Sequence, residues 1–99
     1  MSFNEETAFE SDVLGKLWTA YDTAGLNLPI KELTKGSLVI IKHTDITELP
    51  YYTICIVFSQ TKTRTRLVNV NREFMSFEDM KSFSIPSIEK VSCLYNNKG

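Results

Sequence analysis

Histidine, cysteine and glycine are scarce in this 99-residue chain, and each scarcity removes a class of chemistry. One histidine (His43) and two cysteines (Cys55, Cys93), with no Cys-x-x-Cys pair, fall short of the four closely spaced ligands of a structural zinc site. Both cysteines sit inside apolar runs, where a reduced thiol packs as a small hydrophobe. The opening Met-Ser-Phe-Asn-Glu-Glu is acidic where a secretory signal is basic, so the reading is a cytoplasmic protein without a disulfide. Glycines stand singly at 15, 25, 36 and 99 and make no phosphate-cradling loop. No Gly-x-Ser-x-Gly elbow is present. His43 lies near Asp45, but a nucleophile–base pair needs an oriented partner within reach, and the local sequence supplies none. It is read as an exposed histidine at a strand end. The adjacent carboxylates Glu5-Glu6 and Glu78-Asp79 read as helix-start charges rather than a paired acid and base. No catalytic residue, metal site or cofactor is therefore expected, and the chain reads as non-enzymatic. Nor does any apolar run approach the roughly 20 residues that a membrane-spanning helix needs.

What is present is an ordinary globular composition, 42% hydrophobic and 23% charged, which excludes a disordered chain. The length suits one domain spanning residues 1–99. The net charge of −1 conceals a dipole. Residues 1–25 carry Glu5, Glu6, Glu10, Asp12 and Asp22 against Lys16 alone, a balance of −4. Residues 60–72 carry Lys62, Arg64, Arg66 and Arg72 with no acid, a balance of +4. Patches of one sign on this scale steer association.

Residues 5–24 have helical spacing. Phe9, Val13, Leu17 and Tyr21 form an i, i+4 ridge, and Leu14 and Trp18 broaden it into an apolar face expected to pack on the rest of the fold. Thr7-x-x-Glu10 has capping-box spacing, and Gly25 stands where a helix stops. Gly15 within the helix costs about 1 kcal/mol relative to alanine, which marks a close approach or a break. Pro29 holds Asn27-Leu28 extended, and Ile30–Leu33 can make one helical turn.

From Ser37 to Val70 the pattern changes to strands: Ser37–His43, Tyr51–Phe58 and Thr63–Val70. In the second, Tyr52, Ile54, Ile56 and Phe58 form a uniformly apolar face expected to be core. Tyr51, Thr53, Cys55 and Val57 form a half-polar face. Ser59–Lys62 reads as the hairpin connection. In the third strand, the polar half around Arg64, Thr65 and Arg66 is expected to project beyond the core. A short helix is expected at residues 77–81, a break at Ser84–Ser87 and a closing strand over residues 89–95.

The phrase Leu-Thr-Lys-Gly-Ser-Leu-Val-Ile-Ile-Lys-His resembles the opening of small SH3-like barrels, in which a polar-Gly turn delivers the first strand of a meander. The expected fold is α+β: an N-terminal amphipathic helix on a small antiparallel β-sheet or SH3-like barrel of about four to five strands. In style, a short chain rich in Lys, Asn, Thr and Ser, it is similar to small bacteriophage accessory proteins that modulate host enzymes. That likeness implies an adaptor, regulator or inhibitor acting in the host cytoplasm.

The expected contact surface is the basic hairpin: Lys62, Arg64 and Arg66, with Arg72 beyond it and Tyr51 on the neighbouring strand. Arginine and tyrosine are common interface anchors, so a protein partner is expected. The alternative is a single-stranded nucleic acid, its phosphates on the basic residues and a base stacked on Tyr51. Against that stands an isoelectric point near 5.8, where nucleic-acid domains carry a dominant basic footprint. The plainest reading of the same residues is a solvated hairpin face.

Overall fold

A computed structural model describes residues 5–44, 49–70 and 82–98, with the side chains of residues 5–10 outside that description. The fold is α+β: one helix, α1 (Glu5–Thr23), lies on an antiparallel six-stranded open sheet. The strands are β1 (Leu28–Pro29), β2 (Leu38–His43), β3 (Tyr51–Gln60), β4 (Arg64–Asn69), β5 (Ser82–Pro86) and β6 (Lys90–Tyr95), in the spatial order β1-β6-β2-β3-β4-β5. A 3₁₀ turn at Ile30–Glu32 follows β1. Six strands replace the expected four to five. The extra ones are β1, two residues held extended around Pro29, and β5, which occupies the stretch expected to be a break. Pro86 is tolerated there because it ends a margin strand, where no ladder hydrogen bond is demanded of it. The expected helix at 77–81 lies outside the described residues.

α1 stops as its sequence predicts. Gly25 takes φ +73°, the Leu26 N–H donates to Tyr21 O at 2.8 Å and the Gly25 N–H to Asp22 O at 3.0 Å, the paired bonds of a glycine-terminated helix.

The sealed core lies on the face of β3 that the sequence marks as half-polar. Cys55 and Val57 join Val39 and Ile41 of β2, Leu67 of β4 and Val91 of β6, and Ile30 and Leu33 cover them. On the other face, Ile56 is 39% exposed and Phe58 38%. The expected assignment of Tyr52, Ile54, Ile56 and Phe58 as the core face is thus reversed at its far end. Thr65, expected to project beyond the core, is fully buried on the inner face beside Leu67. The sheet curls tightly around this core. His43 of β2 and Phe83 of β5 are three strands apart, about 14 Å in a flat sheet, yet their ring centroids are 5.3 Å apart. Gln60 fastens the 3₁₀ turn across the core by donating from Nε2 to Ile30 O at 2.9 Å and also to Leu33 O.

α1 packs on the outer face at the end of the sheet where β3 begins. The Tyr52 N–H, beyond the reach of β4, donates to Ser11 Oγ at 3.0 Å. Trp18 tilts against Tyr52 with ring centroids 6.1 Å apart, and the Lys42 ammonium stands 5.0 Å from the centre of the Trp18 ring. At its far end, Asn27 Nδ2 donates to Trp18 O, and Asn27 Oδ1 accepts from the Ser92 hydroxyl of β6. The helix therefore crosses from β3 over β2 to β6. Gly15 is the point of closest approach, since a Cβ there would lie 2.6 Å from the Tyr52 ring. The residues facing the sheet are Ser11, Leu14, Gly15 and Trp18. Val13 and Leu17, expected on the packed ridge, are 46% and 38% exposed.

Candidate functional site

The basic hairpin is built on a stiff connection. β3 runs on to Gln60, so the link to β4 is Thr61–Thr63 rather than Ser59–Lys62. Thr61 locks it from both atoms: its N–H donates to Arg64 O at 2.8 Å, its hydroxyl to the same oxygen at 2.9 Å, and its Oγ1 accepts from the Arg64 N–H at 3.1 Å. The turn between β5 and β6 braces the tip, where Ser87 donates from its N–H to Thr63 O at 3.1 Å and from its hydroxyl to Thr61 O at 3.3 Å. A register shift between Val57 and Ser59 places Phe58 in a bulge beside this end.

Alternation in β4 does the rest. Thr65 and Leu67 point into the core, so Arg64 and Arg66 must point outward. Arg64 is steadied by Ser84 of β5, donating from Nε to the hydroxyl at 3.2 Å and from Nη2 to the carbonyl at 3.4 Å. Arg66 lies opposite Ser59, next to the bulge. Lys62 sits in the exposed link itself. Lys35 adds a fourth cation on this side, its ammonium 6.0 Å from the centre of the Phe58 ring. Three predicted residues, Lys62, Arg64 and Arg66, thus share one end of the sheet. Arg72 lies outside the described residues.

Tyr51 does not join them. It begins β3, eight residues before Ser59, roughly 25 Å along the strand, and it belongs to the inner-face register. There it stacks on His43, with centroids 4.4 Å apart and planes 6° from parallel. His43 is not the exposed strand-end residue expected: it is half-buried between Tyr51 and Phe83, and its Nε2 lies 2.7 Å from Thr53 Oγ1. Burial lowers its pKa from the usual histidine value. An open cleft of about 350 Å³ forms here, lined by Ile41, His43, Tyr51, Ile85 and Glu89 among others. Thr53 Oγ1 also lies 3.5 Å from Cys55 Sγ. Burial drives that thiol up to about 11, with the Thr53 contact opposing it weakly, so it is a core residue rather than a thiolate nucleophile. Both cysteines are free thiols. Among the described residues no group of three or more His, Cys, Asp or Glu is placed to hold a metal, and no helix is long and apolar enough to cross a membrane.

Sequence reasoning missed the outer half-face beyond α1, formed by Leu38, Ile56, Phe58 and Tyr95. The apolar alternation of β3 contained the signal, but it was indistinguishable from core. Comparison with known proteins returns no match to a protein-family model, a curated protein or a solved structure.

Proposed function

We propose that this chain is a non-enzymatic binding protein that docks on a larger macromolecule through its β3–β4 hairpin, with Lys62, Arg64 and Arg66 as the contact cations. The carrying observation is the bracing of the hairpin: the Thr61 bonds, the Ser87 bonds and the Arg64–Ser84 pair hold an exposed basic tip in one conformation. A pre-ordered tip loses little entropy on binding, which suits a recognition element. The partner is read as a protein presenting an acidic surface. A single-stranded nucleic acid calls for aromatic faces interleaved with cations; Tyr51, the aromatic expected to supply one, stands at the opposite end of β3, and the ring beside the cations, Phe58, is already approached by the Lys35 ammonium. The SH3-like reading draws support from strand order alone: the meander β2–β5 turns tightly at Ser87–Glu89 and returns as β6 beside β2. An adaptor or inhibitor of the kind seen among small bacteriophage proteins, acting in the cytoplasm, fits that architecture.

The test is recovery of partners from lysate by tagged protein, with and without nuclease, compared with a Lys62→Glu/Arg64→Glu variant. A stoichiometric protein that survives nuclease and is lost with the variant, at an unchanged unfolding temperature, supports the reading. Recovery that vanishes with nuclease moves the assignment to nucleic acid. Equal recovery by the variant removes the hairpin from the site.

A further inference from the structure

Two arginines of β4 converge on one serine. Arg64 and Arg66 stand two residues apart on one face of the strand, about 6.7 Å along it. Both are exposed, as is Ser84 of β5. Ser84 is directly opposite Arg66, and Ser59 of β3 flanks Arg66 on the other side. The bond from the Ser87 N–H to Thr63 O sets the phase of the β4–β5 ladder. It makes Arg66 and Ser84 a pair that exchanges no backbone bonds, the kind whose Cα atoms approach to about 4.5 Å and whose side chains are closest.

Arg64 is opposite Pro86, one pair nearer the hairpin tip. Its Nε donates to Ser84 Oγ at 3.2 Å and its Nη2 to Ser84 O at 3.4 Å, so the side chain leans back along the strand to the serine that faces Arg66. Two like charges are thereby drawn together around one hydroxyl, an arrangement that costs energy while no anion lies between them. Among the described residues the one ion pair is Asp12–Lys16, so no described carboxylate meets either arginine.

The donors left over are specific. Ser84 occupies the Nε–Nη2 side of Arg64, two of its five N–H groups, and leaves the Nη1–Nη2 end open. The Arg66 guanidinium has no acceptor among the described residues. Because Ser84 Oγ accepts from Arg64, its own proton is directed elsewhere. Two guanidiniums and a hydroxyl thus offer donors to one point. A single carboxylate brings one charge against two, and two carboxylates converging there would repel each other. A dianionic phosphoryl group matches on both counts, with two charges and three acceptor oxygens for three donor groups.

We infer that Arg64, Arg66 and Ser84 form a phosphoryl-binding site that takes a phosphorylated side chain of the protein partner. The inference rests on the hairpin reading above and narrows its acidic partner surface to a phosphomonoester. Thr61 and Ser87, by bracing the tip, keep β4 and β5 in the register that holds the three groups together. A nucleic-acid phosphodiester carries one charge per phosphate and is the poorer fit.

The experiment titrates the full chain with phenyl phosphate at fixed ionic strength and follows the Arg64 and Arg66 Nε–H signals by nuclear magnetic resonance. The expected result is a saturable shift of both, with dimethyl phosphate and acetate at least about tenfold weaker. Affinity for phenyl phosphate is expected to fall about tenfold from about pH 7.5 to 5, as the dianion takes a proton near pH 6. Dimethyl phosphate stays a monoanion throughout and is expected to show no such fall. Arg66→Lys keeps the charge but loses the planar fork, and is expected to weaken binding by at least about fivefold, while Lys90→Gln leaves it unchanged. Circular dichroism melts verify that the variants fold. Absence of a saturable shift overturns the inference, and so does binding that Arg66→Lys leaves unchanged. Equal affinity for dimethyl phosphate also overturns it and moves the site to a nucleic-acid backbone. A lysate arm separates this inference from the hairpin reading. A protein lost with Lys62→Glu/Arg64→Glu but still recovered after phosphatase treatment keeps that reading and overturns this one.

Discussion

Replacing Gly15 with alanine sets two effects of opposite sign against each other, and the structure decides between them. In a solvated helix interior the change stabilises by about 1 kcal/mol. Here the new Cβ would lie 2.6 Å from Tyr52 Cε2 and 2.7 Å from Cδ2, more than half an ångström inside van der Waals contact. The ring cannot swing freely because Trp18 packs against it and its own backbone is fixed in β3 and bonded to Ser11. Overpacking of this kind costs about 1–3 kcal/mol before the helical gain is counted. The expected net effect of Gly15→Ala is a destabilisation of about 1 kcal/mol, or about 4–8 °C in the unfolding midpoint of a domain this size. In a Tyr52→Ala background the obstruction is gone, and the same substitution is expected to stabilise by about 1 kcal/mol. Urea unfolding of the four proteins gives the coupling energy directly, expected at about 2 kcal/mol. Equal effects of Gly15→Ala in both backgrounds would show that the helix does not rest on Tyr52, and the placement of α1 would fail with it.

Two further perturbations probe the inner face. Thr65 is fully buried and its hydroxyl has no hydrogen-bond partner among the described residues. Thr65→Val is therefore expected to raise stability by about 1–2 kcal/mol in thermal or urea unfolding, and a loss of stability would mean that the hydroxyl is satisfied. His43 has a lowered pKa in the folded state because burial penalises the imidazolium. The unfolded chain thus binds the proton more readily, and stability is expected to fall as pH drops below the unfolded value of about 6.5, levelling off below the folded value. His43→Gln should flatten this part of the melting-temperature profile. An unchanged slope would assign it to other groups.

Elements whose residues repeat with one clear period were legible in the sequence. The helix, its glycine stop, the β2–β4 meander and the closing strand all stand within a residue or two of their expected limits. Faces were harder to read. β3 is apolar in both registers, so alternation says that it is a strand without saying which side is sealed. That choice was made by Ile30, Leu33 and Val91, which arrive from distant parts of the chain to cover Cys55 and Val57. On α1, the ridge through Val13 and Leu17 and the strip through Leu14 and Trp18 are nearly equal in apolarity. Gly15 settles the contest, because the strip containing it brings the helix axis closest to the sheet. The site was half legible: alternation put Arg64 and Arg66 on one face, but the length of β3 carried Tyr51 away from them. Nothing in the local sequence signals that His43 meets Phe83, since that contact comes from the curl of the sheet.

The two margins of the sheet bear on how this protein avoids polymerising. β1 is two residues long and ends in Pro29; β5 ends in Pro86. Proline lacks an amide hydrogen to offer an incoming strand, and a two-residue margin is too short to template one. A chain with this much strand and this many apolar alternations would otherwise be prone to stacking edge to edge, above all while newly made and crowded. With both margins blunted, an incoming strand finds little backbone to pair with, and growth by strand addition stops at the ends of the sheet itself.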